Sequence, residues 1–417
     1  LRQNTLDAIS RIRELAQRET PPEPLPAELR HRCPGCSLVT VCQPEETLYQ
    51  IERVNLPEAE ATPKGITRVL PQSDDGAVVY LQEQGSHVGK RSEHLIIRKD
   101  GEQLNRIPLA MVRQVVVLGN VQISTQALQC LASNEIPVMY LTTYGRFIAA
   151  LQPAPTKNVS LRLAQYQKFT EAEEALKLAR AVVKAKLINQ RALLMRSLRG
   201  RKSEDDDSRG SHHTAARDLA TLIARVDRVT EMPSLLGLEG QGASLYFGTF
   251  DQFLKSQPPG SPFEFRNRNR RPPRDPVNAL LSFAYALLAK DCFSALCTVG
   301  FDPYQGFYHA GRHGRPSLAL DLMEEFRSII ADSVVLTMIN NQVVTNADFL
   351  TWRESCQLND QGRVKFFKSY EMRKSTEVTH PVYGYRMTYS RMLEVQARML
   401  AAYVRGDVPD YVGFTVR

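Results

Sequence analysis

The spacing of apolar and polar residues divides the chain into stretches with different periods. Over residues 4–17, Leu6, Ile9, Ile12 and Leu15 fall on one face, which predicts a short amphipathic helix. A proline-rich link, PPEPLP, leads to HRCPGCSLVTVCQPEE, and residues 47–65 are acidic and proline-containing, the composition of a linker. From residue 66 the runs ITRVL, AVVYLQ, SEHLIIRK, RQVVVLG, IPVMYLT and RFIAALQ predict strands. Asp74-Asp75-Gly76 and Asp100-Gly101 supply turns, and one helix is predicted near 124–133. Beyond Pro153 and Pro155 the period becomes helical: Leu161, Ala164, Leu176, Ala179, Val183, Leu187 and Leu194 predict one long helix over 160–199. GRKSEDDDSRGSHH reads as a mobile polar loop, with helix resuming over 214–230. Asp275-Pro276 and Arg315-Pro316-Ser317 read as helix starts. The second helix is expected to continue through 328–339. Shorter elements follow, then a last helix near 385–405 with Arg386, Arg391, Gln396 and Arg398 at its polar positions.

This pattern gives an α+β multidomain chain. A cysteine-containing helical remnant (1–46) and a linker (47–65) precede a small β-rich domain (66–152) and a large all-α domain (153–417). The length of 417 residues suits two or three domains. A net charge of +8 points to a polyanionic partner. The uncharged run between Arg113 and Glu135 is interrupted throughout by Gln, Asn, Ser and Thr, which excludes it as a membrane span. The chain opens Leu-Arg-Gln with no signal-peptide pattern, so the expectation is a piece of a longer, cytoplasmic gene product.

Candidate chemistry concentrates in QGFYHAGRHGRPSLALDLMEEFR. His309 stands in a glycine- and aromatic-rich loop, and Asp321 and Glu324, three residues apart, project from one face of the helix that follows. In GLEGQGASLYFGTF, Glu239 sits among glycines ahead of a short apolar-aromatic helix. An imidazole with two or three carboxylates suits Mn²⁺ or Mg²⁺; a hydrogen-bonded loop histidine beside a helix-start acid pair is the structural alternative. Arg266, Arg268, Arg270, Arg271 and Arg274 crowd one loop, where bidentate hydrogen bonds would suit phosphate. Asn278 is either a buried anchor behind that loop or an exposed first-turn residue, and His313 is a weaker phosphate candidate. Lys365, Lys368, Arg373 and Lys374 form a second basic stretch, and Trp352 reads as packing. His87 and His94 read as surface residues, and His212-His213 as loop residues rather than ligands. Of seven cysteines, Cys130, Cys292, Cys297 and Cys356 read as core, while Cys33, Cys36 and Cys42 have a spacing suited to zinc or an iron–sulfur cluster but need a fourth ligand. His31 is the nearby substitute.

Taken in order, GLEGQGASLYF, RRPPRDPVNALLSFAYALL, and GFYH followed by GRPSLALDLMEEFR resemble the CRISPR adaptation integrase, the larger of the two core spacer-acquisition proteins. The resemblance spans about Gly65 to Arg417. It implies Glu239, His309 and Glu324 as metal ligands, with Asp321 behind them or joining them; many relatives carry Asp where this chain has Glu324. It further implies homodimers, double-stranded spacer and repeat DNA, and a small ferredoxin-like CRISPR adaptation subunit as partner. The implied reaction is attack of a spacer 3′-hydroxyl on a repeat phosphodiester. The cysteine triplet resembles the C-terminal end of a RecB-like CRISPR-associated nuclease, which implies a four-iron four-sulfur cluster only in a full-length fusion that supplies the upstream cysteine. Against this stand a non-catalytic DNA-binding scaffold, a zinc or iron–sulfur protein, and an unrelated metallohydrolase.

Overall fold

The computed structural model describes residues 2–17, 24–36, 39–54, 76–151, 158–199, 206–254, 263–269, 272–309, 311, 313–380, 383–384 and 386–416. The predicted strand ITRVL, Arg270 and Arg271 lie outside them.

At the N-terminus, α1 (Arg2–Gln17), α2 (Val39–Cys42) and α3 (Pro44–Val54) are helical. The last of these corrects the linker expectation over 47–54. Gln43, Glu46, Thr47 and Gln50 are buried, Gln50 Nε2 donates to Tyr383 Oη at 2.7 Å, and the rings of Tyr49 and Tyr383 meet edge-on. Packing on the far end of the chain turns an acidic stretch into a docked helix.

The small domain is built from β1 (Ala77–Leu81), β2 (His87–Arg91), β3 (His94–Lys99), β4 (Glu102–Pro108), β5 (Val112–Leu118), β6 (Gln122–Ile123), α4 (Thr125–Ser133), β7 (Val138–Leu141) and β8 (Phe147–Leu151). One sheet runs β4-β3-β2-β6 and the other β1-β5-β7-β8, with β1, β5 and β7 parallel. The continuous apolar run of β5 is explained by burial on both faces. Val115 and Val117 point into the small domain's own core, whereas Val116 and Leu118 join the core of the helical domain. Alternation along one strand thus joins the two domains.

The helical domain comprises α5 (Val159–Thr170), α6 (Ala172–Arg199), α7 (Asp206–Val226), α8 (Met232–Gly248), α9 (Pro276–Val299), α10 (Ser317–Met323) and α11 (Ser333–Asn340). It continues through β9 (Phe349–Trp352), β10 (Ser355–Leu358), α12 (Asp360–Lys374), β11 (Glu377–Thr379), β12 (Arg386–Thr388) and α13 (Tyr389–Arg405). Two short antiparallel ladders, β9 with β10 and β11 with β12, correct the all-α expectation. The long helix over 160–199 breaks at Glu171 into α5 and α6, and the expected polar loop is helical from Asp206.

Helix α9 is the axis of the domain. Asp275 caps it by accepting from Asn278 N at 2.8 Å, Pro276 opens it, and Gly300 closes it at φ 108°, a left-handed geometry that a side chain would resist. Among the described residues it is the one helix long and apolar enough to cross a membrane, and its apolar residues are spent on the domain core.

Candidate metal and nucleic-acid site

The expected continuous helix from Ser317 to Ile339 is interrupted: after α10 comes a tight turn, then a π-helical segment, Arg327–Asp332, before α11. That interruption turns Glu324 and Glu325 to opposite sides. Glu325 is fully buried and accepts from Gln396 Nε2 (2.9 Å), Tyr411 Oη (2.5 Å) and Phe414 N (2.7 Å), tying the C-terminal segment down. Burial outweighs those donors and pushes its carboxyl up to about 7.

Glu324 faces the loop that carries His309. Burial would raise its carboxyl, but the Arg327 guanidinium (2.7 Å), Lys186 ammonium (2.6 Å) and His309 bring it down to about 2. Lys186 comes from α6 and is also hydrogen-bonded to Glu239 Oε1, which projects from the middle of α8. Glu239 therefore stands inside a helix rather than ahead of one. Close approach of the helices is permitted by Gly242 of α8, where a Cβ would run into Leu187.

His309 is oriented from behind. Its Nδ1 lies 2.7 Å from Asp321 Oδ1, and since a carboxylate only accepts, Nδ1 carries the proton. Its Nε2 lies 3.9 Å from Glu324 Oε1. Asp321 has no exposed surface and also accepts from the backbone N–H groups of Phe307 (2.8 Å), Tyr308 (3.1 Å) and His309 (2.9 Å). Gln165 of α5 anchors the base of the loop through the carbonyls of Asp302 (2.8 Å) and Gln305 (2.9 Å).

Glu239 and Glu324 therefore converge on Lys186, and His309 Nε2 comes within 3.9 Å of Glu324. As placed, the two glutamates close on Lys186, and among the described residues no group of three His, Cys, Asp or Glu side chains is arranged to hold a metal ion. The donor set nonetheless fits a divalent cation. It offers two carboxylates and an imidazole oriented by a carboxylate on its other nitrogen, and Glu324 Oε2 is buried facing the Lys186 ammonium at 2.6 Å.

The family model described as CRISPR associated protein Cas1 matches residues 79–372. The chain belongs to the Cas1 family. It is 39% identical over 414 residues to a CRISPR-associated exonuclease Cas4/endonuclease Cas1 fusion of Geobacter sulfurreducens, covering 99% of this chain and 71% of the fusion. In fold it is similar to a casposase bound to integration product, with TM-score 0.69, 22% identity, and 80% of this chain and 92% of the casposase covered. It is likewise similar to a chain of a Cas6-RT-Cas1–Cas2 complex, with TM-score 0.68, 24% identity, and 84% and 37% covered. The Cas1-like architecture, a β-rich N-terminal domain followed by a helical one, is therefore that of this chain.

Around these residues the predicted basic loop divides. Arg266 and Arg274 are exposed and pair with exposed Glu264 and Glu354. Arg268 turns inward: its Nη1 donates to Asn278 Oδ1 at 2.5 Å and its Nη2 to Ser282 Oγ at 3.1 Å. Asn278 is fully buried and donates to Asn267 O and Asp275 Oδ2, so it anchors the loop and is not a DNA contact. The guanidinium of Arg268 lies over Tyr285 at 5.3 Å and that of Arg327 at 4.3 Å, linking the loop to Glu324. Tyr285 and Tyr246 both donate to Asp332, at 2.5 and 2.9 Å. His313 is exposed.

Other assignments change. Lys374 is buried against Asp291 (3.0 Å) and Glu371 (2.9 Å), and Arg373 donates to Ile329 O, so only part of the second basic stretch faces outward. Gln396 is buried and Trp352 is 74% exposed, reversing both expectations. Lys186, Gln165, Tyr285 and Arg327 were missed.

Cys33 is buried, Cys36 exposed and Cys42 half-buried; burial and the neighbouring thiols push the Cys42 thiol up. Nδ1 of His31 sits 2.9 Å from Glu28 O, within its own turn. Among the described residues no fourth donor joins these three thiols to complete an iron–sulfur or zinc site.

Proposed function

We propose that this chain is the DNA-joining enzyme of CRISPR adaptation, catalysing attack of a spacer 3′-hydroxyl on a phosphodiester at the repeat edge. The observation that carries the reading is the convergence of Glu239 and Glu324 on Lys186, with Asp321 fixing the imidazole of His309 so that Nε2 faces Glu324. Those three residues would hold Mg²⁺ or Mn²⁺. Such an ion, when bound, neutralises phosphate charge and stabilises attacking and leaving oxygens. The chain's own part is positional. Asp321 keeps the proton on Nδ1, Arg327 grips Glu324, and Arg266 and Arg274 offer phosphate contacts that hold a duplex without reading its sequence.

The relatives' printed names support the substrate and partner: an integration product for the casposase, Cas2 for the solved complex. For this chain we take the partners to be double-stranded DNA, a second copy and a small Cas2 subunit, acting in the cytoplasm. The cysteine segment is read as the end of a Cas4-type module that completes its cluster only in the fusion. Cys36→Ser in the fusion should lose iron and keep joining.

The deciding assay combines the chain, its small partner, a short duplex with 3′-hydroxyls and a supercoiled repeat-bearing plasmid. Glu239→Ala and His309→Ala should abolish joined product. Intact joining in both would leave only a DNA-binding scaffold, and joining without a free 3′-hydroxyl would mean a plain hydrolase.

A further inference from the structure

One buried charge at this site has no part in the reading above, the ammonium of Lys186. The residue is 4% exposed and reaches from α6 to a point between carboxylates carried by two other elements. It is hydrogen-bonded to Glu239 Oε1 and lies 2.6 Å from Glu324 Oε2. Arg327 takes the other oxygen of Glu324, Oε1, and His309 spends its ring proton on Asp321. Lys186 is therefore the cation that bridges Glu239 to Glu324. Without it two acids would face one another in a buried setting, where like charges repel strongly and desolvation is costly. The contact with Glu324 Oε2, at 2.6 Å, is a charged one. An ammonium on a flexible four-carbon stem can leave such a position without breaking a fixed fork.

We propose that Lys186 is a resident occupant of the cation site. In the metal-free protein its ammonium holds Glu239 and Glu324 together, and a divalent cation enters by displacing it from the same carboxylates. This rests on the reading of Glu239, His309 and Glu324 as cation ligands. The charge balance supports exchange over addition. Glu239, Glu324 and Asp321 face Lys186 and Arg327. With a neutral His309, a divalent ion added as Lys186 withdraws leaves no uncompensated charge, and one added while Lys186 stays seated leaves one uncompensated positive charge in a largely buried site. Withdrawal of the ammonium towards the partly exposed side of Glu239 avoids that.

The proposal separates from a purely structural role by the direction of metal affinity. A lysine that merely organises the carboxylates would, when removed, weaken metal binding; a competitor would, when removed, strengthen it. Mn²⁺ is titrated calorimetrically into the full chain and its Lys186→Met, Lys186→Arg and Glu239→Gln variants, with thermal unfolding followed with and without Mn²⁺. Lys186→Met should melt lower without metal, bind Mn²⁺ on the order of tenfold more tightly, and gain more in melting temperature from it. Lys186→Arg, whose planar fork can bridge both carboxylates, should bind Mn²⁺ on the order of tenfold more weakly while remaining folded. Equal or weaker binding by Lys186→Met, with Glu239→Gln weakened, overturns the exchange and leaves the cation site standing. Equal binding by the parent and Glu239→Gln removes the cation site and the exchange together. Should Lys186→Met fail to fold, unchanged or tighter binding by Lys186→Arg overturns the proposal.

Discussion

His309 and Asp321 are joined twice through one oxygen: Asp321 Oδ1 accepts from the ring Nδ1 at 2.7 Å and from the backbone N–H at 2.9 Å. The same carboxylate fixes the imidazole and the chain that bears it, so ring orientation and loop position are a single structural event.

Asp321→Asn tests that coupling. An amide has one accepting oxygen, so its NH₂ would confront N–H donors now satisfied by the carboxylate. Stability should fall by about 1–3 kcal/mol for the unsatisfied buried groups. Mn²⁺ affinity should fall by about 10–100-fold, the usual effect of removing a ligand's orienting partner. Calorimetry with and without metal measures both, and undiminished affinity would mean that Asp321 only closes the loop.

Gly306 gives an independent handle on the same loop. A Cβ there would lie 2.5 Å from Asp321 Oδ2 and 2.9 Å from both Ser317 Cβ and its carbonyl carbon. Two of those atoms cannot move without shifting the start of α10. Gly306→Ala should cost about 1–3 kcal/mol through overpacking, seen as a lower melting temperature. It should also weaken Mn²⁺ binding, because Asp321 is driven off the Phe307 and Tyr308 N–H groups. Full metal affinity in a destabilised variant would separate the loop's base from the site.

Glu324 and Glu325 titrate in opposite senses. The carboxyl of Glu325 is pushed by burial from an ordinary 4.5 up to about 7, so the folded state binds its proton more tightly than the unfolded state does. Its contribution is full below the unfolded value, is lost as pH rises from about 4.5 to about 7, and amounts to about 3 kcal/mol. Glu324 is drawn down to about 2, so its contribution is present above about 4.5 and lost as pH falls towards about 2. Melting temperature followed from pH 4.5 to 7 should decline in the parent, and Glu325→Gln should flatten that decline. An unchanged slope in the variant would assign it to other groups.

Much of this site was legible because its ligands stand beside local signals. Glycines flank Glu239, a proline precedes Ser317 at the start of α10, and an Asp-Pro pair opens α9. What escaped depends on contacts between distant segments. Lys186 reads as one more lysine on a long helix; only its placement beside the buried Val183, Leu187 and Asn189 marks it as inward-facing. The helix at 44–54 needs Tyr383, 333 residues beyond the Gln50 that it contacts. Arg373, Lys374 and Gln396 read as surface because composition cannot reveal that Ile329 O, Asp291 and Glu325 wait for them inside. The π-helical interruption after Phe326 left no mark in the apolar pattern, yet it separates the fates of Glu324 and Glu325.

The basic loop should show two kinds of arginine. Arg266 and Arg274, with side chains 88% and 62% exposed, are the proposed phosphate contacts; each such contact contributes about 0.9 to the slope of log affinity against log salt. Arg266→Ala with Arg274→Ala should therefore weaken duplex binding and reduce that slope by about 2, while joining at saturating DNA keeps its rate. Arg268 is held by Asn278 and Ser282, and Tyr285 separates it from Arg327, which grips Glu324. Arg268→Ala should leave the salt slope nearly intact and slow joining at saturating DNA by about tenfold or more, as misplacement of a supporting group does. Binding titrations across salt and single-turnover joining with the small partner distinguish the two. If Arg268→Ala lowers the slope and spares the rate, Arg268 is a third phosphate contact, and the stack on Tyr285 carries nothing to the site.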